Sequence, residues 1–230
     1  MRKKTLTALT TGMLLFGMAS MAEASLTVIG SATYNGADYN LVWEDDNQGN
    51  SLVWLDYTNE NLFWNNQMAW ASGLDNQLTY NIDPQYSVSW TNESWRLPST
   101  ADNPKSGWNL TNSEMGYLYY IEFGLEEKTN VDPTNAFPFE NLNNSGSGYW
   151  TNTEAGTYNG YLLAAAFRFE DGYQGIGFQD YFDVQGLAVR EANVTTSTTP
   201  AVPAPASVLL FSAGLMGLAG LKRRREGDTL

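Results

Sequence analysis

The sequence predicts one α+β domain between two processed ends. Short segments in which apolar and polar residues alternate, bounded by Asn, Asp and Gly, are typical of β-strands. Two other segments carry apolar residues at helical spacing. The 230 residues include eight Trp, thirteen Tyr and ten Phe, which supply enough apolar surface for a core. No internal repeat or low-complexity block interrupts residues 25–192, so we expect a single domain there.

Six alternating segments predict strands. In the fourth of them, Leu163, Ala165 and Phe167 share one face and Arg168 lies on the other, as a strand with one buried face requires. The six segments are residues 26–33, 39–44, 52–56, 161–170, 172–178 and 184–190.

The first predicted helix covers residues 62–74 and is expected to begin near Asn65. Its residues Met68, Ala71 and Leu74 form one apolar stripe. Spacings of three residues bring side chains to the same side of a helix, so this stripe is expected to face the core.

The second predicted helix opens at residues 111–114, where Thr-Asn-Ser-Glu fits a capping box that Glu114 closes. The helix is expected to run through Phe123 and to stop at Gly124. Residues 126–148 are interrupted by Pro, Asn and Gly, and predict a long loop of the kind that often carries function.

The N-terminal end has the three parts of a secretory signal peptide. A positive start is followed by an apolar stretch at residues 6–21 and by the small-x-small pattern that ends at Ala24. Export through the Sec translocon and cleavage by signal peptidase would leave Ser25 as the new N-terminus. The positive residues are Arg2, Lys3 and Lys4.

The C-terminal end combines a linker, a short motif, an apolar span and a basic cluster. The Thr/Ser-rich run 193–201 predicts a flexible linker, and the apolar stretch 206–221 is slightly shorter than the ~17–25 residues of a transmembrane helix. Basic residues after such a span stay cytoplasmic, so the domain is expected to face outward. The motif is Val202, Pro203, Ala204 and Pro205, and the cluster is Lys222, Arg223, Arg224 and Arg225.

This arrangement resembles the PEP-CTERM sorting signal of Gram-negative bacteria, although Ala204 replaces the usual acidic residue. The resemblance implies that a membrane exosortase recognises the tail and cuts near residues 203–205. It implies an inner-membrane-anchored precursor whose domain lies in the periplasm and then reaches the cell surface or the exterior. A plain C-terminal membrane anchor is the alternative.

Composition and charge exclude several classes of function. The chain has no Cys and no His, so thiolate and Cys-ligated metal sites are excluded and the usual neutral-pH acid/base is missing. The formal net charge is −13. Seven of the 12 basic and three of the 25 acidic residues lie in the ends, which leaves the domain near −17. That field argues against nucleic acid and anionic lipid as partners, repels acidic polymers and attracts cations.

The domain resembles the Lcl C-terminal domain family of secreted bacterial proteins. The resemblance implies a C-type-lectin-like fold, also found in formylglycine-generating enzymes, with two helices, a twisted, mainly antiparallel sheet and long loops. It implies no common activity, and the cysteine chemistry of those enzymes does not transfer to a chain without Cys. The matching elements are Leu-Val-Trp-Leu-Asp at 52–56, Gln-Met-Ala-Trp-Ala at 67–71, Trp-Arg-Leu-Pro-Ser at 95–99, Ser-Glu-Met-Gly-Tyr-Leu-Tyr at 113–119, Gly-Tyr-Trp-Thr-Asn-Thr-Glu at 148–154 and Gly-Leu-Ala-Val-Arg at 186–190.

The signature residues of this resemblance are interpreted as structural. Arg96 has a planar fork that suits a carboxylate or a sugar hydroxyl, but we favour a half-buried Arg that pairs with an acid such as Glu114 and stacks on aromatic rings. Trp150 is expected in the core rather than on a sugar. The full set is Trp95, Arg96, Pro98, Glu114, Trp150 and Glu154.

Three further sets are candidate sites. The run 45–50 carries oxygen-bearing side chains at alternate positions and a Gly, as in a calcium loop, and its candidate ligands are Asp45, Asn47 and Asn50. Ordinary hairpin chemistry explains the same residues. Aromatic faces mixed with amides and carboxylates suit sugars, and the candidates are Tyr158, Tyr161, Tyr173 and Tyr181. A glycosidase uses two carboxylates, and the candidates for this pair are Glu170, Asp171, Asp180 and Asp183.

Taken together, these patterns predict an exported, non-catalytic protein of the cell surface or extracellular matrix. Its expected role is adhesion or association with exopolysaccharide or biofilm matrix, with calcium as a candidate ion. Two alternatives stay open: a secreted polysaccharide hydrolase that uses paired carboxylates, and a structural surface protein that self-associates without a small ligand.

Overall fold

The computed structural model describes residues 25–92, 94–144, 146–181 and 184–197. This part of the chain is a mixed α+β domain with a large sheet and two short helices, as predicted. The strands are β1 (Leu26–Tyr34), β2 (Ala37–Asn47), β3 (Asn50–Asn59), β4 (Thr79–Ile82), β5 (Tyr86–Trp90), β6 (Gly148–Tyr158), β7 (Tyr161–Phe167), β8 (Gln174–Phe178) and β9 (Val184–Thr196).

The predicted ends lie largely outside the described residues. The signal peptide occupies residues 1–24, and the motif, apolar span and basic cluster all follow residue 197. Within the ranges that are described, no helix has the length and apolar character needed to cross a membrane.

The long last strand, β9, organises the sheet. The strand order is β4-β1-β2-β3-β9-β6-β7-β8, and β5 pairs with the C-terminal half of β9. Among these strands the pairing is antiparallel, apart from a short parallel contact between β6 and β9. The sheet is therefore mainly antiparallel, in agreement with the prediction.

The core lies on both faces of this sheet. Leu52 and Trp54 on β3 point into one hydrophobic cluster, and Val53 and Leu55 point into another, because successive side chains of a strand alternate between faces. A third cluster joins Trp150 of the sheet to the first helix. The described residues thus contain three hydrophobic clusters of their own, as a domain that folds independently requires.

The six predicted strands are present, with shifted bounds. β7 ends at Phe167 and β8 begins at Gln174, because the residues between them form a turn. In that turn Asp171 accepts hydrogen bonds from the Arg168 side chain and from the Tyr173 backbone N–H, and Gly172 has a φ of 74°. The strands β4, β5 and β6 were not among the predicted ones.

The linker prediction is wrong for residues 193–196, which continue β9. Val194 pairs with Val88 and Thr195 with Ser87 of β5. Val and Thr are β-branched and favour strands, so a Thr-rich run beside an available strand edge becomes part of the sheet. The domain consequently extends past residue 192, the boundary that the sequence predicted.

The two predicted helices are confirmed, with a different cap on the second. The first, α1, spans Trp64–Gly73. The second, α2 (Glu114–Tyr117), continues as a π-helical turn (Leu118–Glu122) and stops at Gly124, whose φ is 62°. Its cap is the Ser113 hydroxyl, which accepts from the Gly116 N–H at 3.1 Å. Glu114 does not close a capping box, because its carboxylate turns towards Arg96.

Candidate functional site

The most specific signature residue, Arg96, is half-buried and forms an ion pair with the buried Glu114. Its Nη1 and Nη2 donate to the two carboxylate oxygens of Glu114 at 2.8 and 2.7 Å, and Nη2 also reaches Glu191 at 3.0 Å. The backbone N–H of Ser99 donates to the same Glu114 carboxylate at 2.6 Å. This network joins the start of α2 to β9, which is a structural arrangement rather than a ligand grip.

The other signature residues are mostly in the core. Trp95 and Trp150 are fully buried. The indole of Trp95 donates to the Tyr80 hydroxyl at 2.7 Å, and that of Trp150 donates to a backbone carbonyl at 3.2 Å. Pro98 is buried and its carbonyl accepts from the chain near the start of β6, whereas Glu154 is exposed.

The candidate calcium loop is the turn of the β2–β3 hairpin. Its side chains face different partners: the Asp45 carboxylate accepts from the Ser25 N–H at 2.7 Å, and the buried Asn47 Nδ2 donates to Glu44 and to a helix carbonyl. The Asn50 amide donates to the Asn47 carbonyl. These contacts are the hairpin chemistry of the alternative interpretation. Across the described residues, no group of three or more His, Cys, Asp or Glu is placed to hold a metal ion.

A buried carboxyl group next to this hairpin was missed by the sequence analysis. Glu44 is fully buried, and its side chain accepts from Trp54 Nε1 at 2.7 Å and from Asn47 Nδ2 at 2.9 Å. Burial raises the pKa of Glu44 to about 8, and the nearby Glu122 and Glu114 carboxylates act in the same direction. Burial, with Asp45 and Asp46 nearby, raises the pKa of Glu122 to about 7. Glu44 is therefore mainly protonated at neutral pH.

The candidate glycosidase carboxylates occupy a turn and the lining of a cleft. Asp171 is held by Arg168, whose Nη2 donates to it at 2.6 Å, and Glu170 is exposed at the same turn. Asp180 lines a cleft, and Asp183 lies outside the described residues.

That cleft, which we call the aromatic cleft, has a volume of about 430 Å³ and lies between the start of α1 and the β6–β7 hairpin. Tyr161 and Phe63 offer exposed rings, 58% and 44% accessible, and the Tyr161 ring packs edge-on against Phe178 at 5.7 Å. The lining residues are Phe63, Asn65, Asn66, Gly160, Tyr161, Leu162, Gln179 and Asp180.

Local backbone chemistry fixes the walls of the aromatic cleft. Asn159 and Gly160 form the two-residue hairpin turn with φ values of 50° and 84°, which suits an Asn-Gly pair. The buried Gln179 ties the walls together, because its N–H donates to the Leu162 carbonyl and its own carbonyl accepts from the Trp64 N–H, both at 3.0 Å. The exposed side chains of the cleft therefore stand on a hydrogen-bonded frame.

The four candidate tyrosines separate into two groups. Tyr161 lines the aromatic cleft, and Tyr158 pairs with it across the hairpin and is exposed. Tyr173 and Tyr181 instead line a neighbouring groove of about 240 Å³. Sequence reasoning missed Phe63, which is an apolar residue exposed directly before a helix, together with the amides beside it.

Chemically, the aromatic cleft combines flat apolar faces with hydrogen-bonding groups. Exposed rings accept the CH face of a pyranose, while the Asn65 and Asn66 amides and the Asp180 carboxylate can bind hydroxyl groups. Comparison of the chain with family models, with curated proteins and with solved structures finds no match.

Proposed function

We propose that the chain is an exported, non-catalytic protein of the cell surface or extracellular matrix whose domain binds polysaccharide in the aromatic cleft. The observation that carries this proposal is the pair of exposed rings, Phe63 and Tyr161, beside Asn65, Asn66 and Asp180. Large apolar side chains are normally buried, and exposed aromatic residues that share a concave site mark a binding surface.

The charge of the domain narrows the ligand class. A net charge near −17 repels polyanions such as uronic-acid polymers, and the described lining of the aromatic cleft carries Asp180 but no Lys or Arg. A neutral polysaccharide is therefore the proposed ligand, held by ring stacking and by hydrogen bonds rather than by charge.

The export part of the proposal is supported by the sequence patterns at the two ends. It assigns a signal peptide before Ser25, a PEP-CTERM-like sorting tail and an exosortase as the processing partner. The proposed fold is C-type-lectin-like, as the Lcl-type elements imply. The intact mass of the mature protein tests the processing: it should begin at Ser25 and lack residues from about 206 onward. A mass that retains Arg223–Arg225 would leave a plain membrane anchor instead.

A hydrolase is the second candidate, and the position of Asp180 in the aromatic cleft is the observation that favours it. A hydrolase would release reducing sugar from the polysaccharide, and Asp180→Asn would abolish that release while binding persists. A non-catalytic module releases no sugar in either form. A self-associating structural protein would instead sediment as an oligomer and bind no glycan.

The experiment for the binding proposal uses purified residues 25–197 and the host's own exopolysaccharide. Binding is measured by isothermal titration, first with calcium and then with a chelator, so that an ion requirement is seen. Phe63→Ala and Tyr161→Ala should each weaken binding at least about tenfold, since each removes a stacking face. Phe137→Ala is the matched control, because this Phe is 75% exposed and lies outside the lining of the aromatic cleft.

A further inference from the structure

A second concavity, which we call the glycine groove, lies beside the aromatic cleft. Its volume is about 240 Å³. Tyr173 and Tyr181 contribute rings to its walls, Arg168 contributes a guanidinium group and Ile176 an exposed aliphatic side chain. Like the aromatic cleft, it combines ring faces with a hydrogen-bond donor.

The groove exists because β8 carries glycine where other residues would fill it. Gly175 pairs with Ala166 and Gly177 with Ala164 of β7, so small side chains line up across two strands. A Cβ at Gly177 would lie 3.2 Å from the ring of Trp150 beneath it, and one at Gly175 would lie 3.3 Å from the Tyr173 ring. The edge of the sheet therefore presents nearly bare backbone over a tryptophan.

The linings of the two concavities meet at one strip of chain. Gln179 and Asp180 line the aromatic cleft, and Tyr181 lines the glycine groove. Adjacent Cα atoms are separated by about 3.8 Å, so the lining passes from one concavity to the other between two consecutive residues, Asp180 and Tyr181. The strip is turned back on itself, since the Tyr181 N–H donates to the Phe178 carbonyl at 2.9 Å.

The Arg168 guanidinium group of the glycine groove is held in one orientation by contacts within the protein. Arg168 donates to Asp171 through Nε and Nη2 at 3.1 and 2.6 Å. Its guanidinium group also lies 5.0 Å from the centre of the Tyr173 ring. These two contacts engage one edge and one face of the guanidinium, and they leave Nη1 outside the ion pair as a donor for a hydroxyl group.

We propose that the glycine groove is a second sugar subsite of the same site, so that the ligand is an internal stretch of a polysaccharide whose successive rings occupy both concavities. This inference rests on the proposed function. Continuity with the aromatic cleft and the repeated combination of rings and donors favour a second ring of the same glycan as the occupant.

The test is the dependence of affinity on chain length, measured for residues 25–197 with size-fractionated fragments of the host exopolysaccharide. Fragments long enough to fill both subsites should bind about tenfold more tightly than fragments that fill one. Gly175→Val should abolish that gain while short fragments bind as before. Gly175 has no positive φ, and its tightest Cβ contact is the half-buried Tyr173 ring at 3.3 Å, so a small shift of that ring makes room for Val. Tyr181→Ala, which removes a wall without adding volume, should reduce the gain as well.

The possible results distinguish failure of the second subsite from failure of polysaccharide binding in the aromatic cleft. Fragments that bind with one affinity at every length, or a length gain that survives both Gly175→Val and Tyr181→Ala, would overturn the second subsite and leave binding in the aromatic cleft intact. Weaker binding of every fragment by Phe63→Ala, together with a wild-type length gain that Gly175→Val abolishes, supports both. Absence of binding by every fragment would refute the proposed function and the subsite together.

Discussion

Replacing Glu44 with Gln is expected to flatten the pH dependence of folding stability. The pKa of Glu44 is about 8 in the folded protein, against an ordinary value of 4.5, because the carboxyl group is buried. Between these two values the folded state holds a proton that the unfolded state releases. The stability linked to this proton is fully present below pH 4.5 and is lost as the pH rises through 8.

The rise in the pKa of Glu44 sets how strongly the free energy of unfolding depends on pH. Each pKa unit corresponds to about 1.4 kcal/mol, so Glu44 alone should lower the free energy of unfolding by about 3 kcal/mol between pH 5 and pH 8. Gln is uncharged and keeps an oxygen for the Trp54 indole, which donates to Glu44 at 2.7 Å. Glu122, whose pKa is raised to about 7 by burial, adds a smaller loss in the same direction that Glu44→Gln leaves in place.

Urea unfolding at pH 5 and pH 8 measures this directly, in high salt so that repulsion among surface carboxylates is screened. The wild type should lose several kcal/mol more than the Glu44→Gln variant over this range. Glu154→Gln is the control, because Glu154 is exposed and should leave the wild-type loss unchanged. Equal losses in the wild type and in Glu44→Gln would refute the assignment of the buried proton to Glu44.

Two further predictions concern the residues that hold the domain together. Arg96→Met leaves the buried Glu114 carboxylate without its cationic partner and should lower the free energy of unfolding by about 3 kcal/mol or more, measured by urea unfolding. The control is Lys128→Met, which breaks an exposed pair with Glu127 and should cost less than about 1 kcal/mol. Similar losses in the two variants would contradict a stabilising role for the Arg96–Glu114 pair. Gly116→Ala places a Cβ 2.0 Å from the Leu110 carbonyl oxygen and should lower the melting temperature by an amount equivalent to about 1–3 kcal/mol. The control is Gly73→Ala at the end of α1, whose Cβ meets only a flexible side chain and should be tolerated. An unchanged melting temperature in Gly116→Ala would show that the Leu110 backbone moves aside.

The sheet could be predicted where its strands alternate regularly or are wholly apolar. β3 and the first half of β9 have this character, and both were predicted. β6 was not, because its register shifts between Trp150 and Glu154 and again before Thr157, and such bulges disrupt the alternation that identifies a strand. β5 has a regular pattern, Tyr-Ser-Val-Ser-Trp, but it is short and its pairing with residues 192–196 depends on tertiary structure.

The candidate site could be predicted only in part, because its two walls come from distant parts of the chain. Tyr161 was a sequence candidate and does line the aromatic cleft. Phe63 and its neighbouring amides begin a helix about a hundred residues earlier, and only the fold brings them beside Gln179 and Asp180. The buried Glu44 was missed for a related reason, since a charged residue in a strand is ordinarily assigned to the solvent face.

The central claim is that the aromatic cleft binds a neutral polysaccharide. The most direct measurement is a binding isotherm of residues 25–197 against the host exopolysaccharide, for the wild type, Tyr161→Ala and the Phe137→Ala control. We expect saturable binding that Tyr161→Ala weakens about tenfold or more and that Phe137→Ala leaves unchanged. Wild-type affinity in Tyr161→Ala, or no binding in any form, would contradict it.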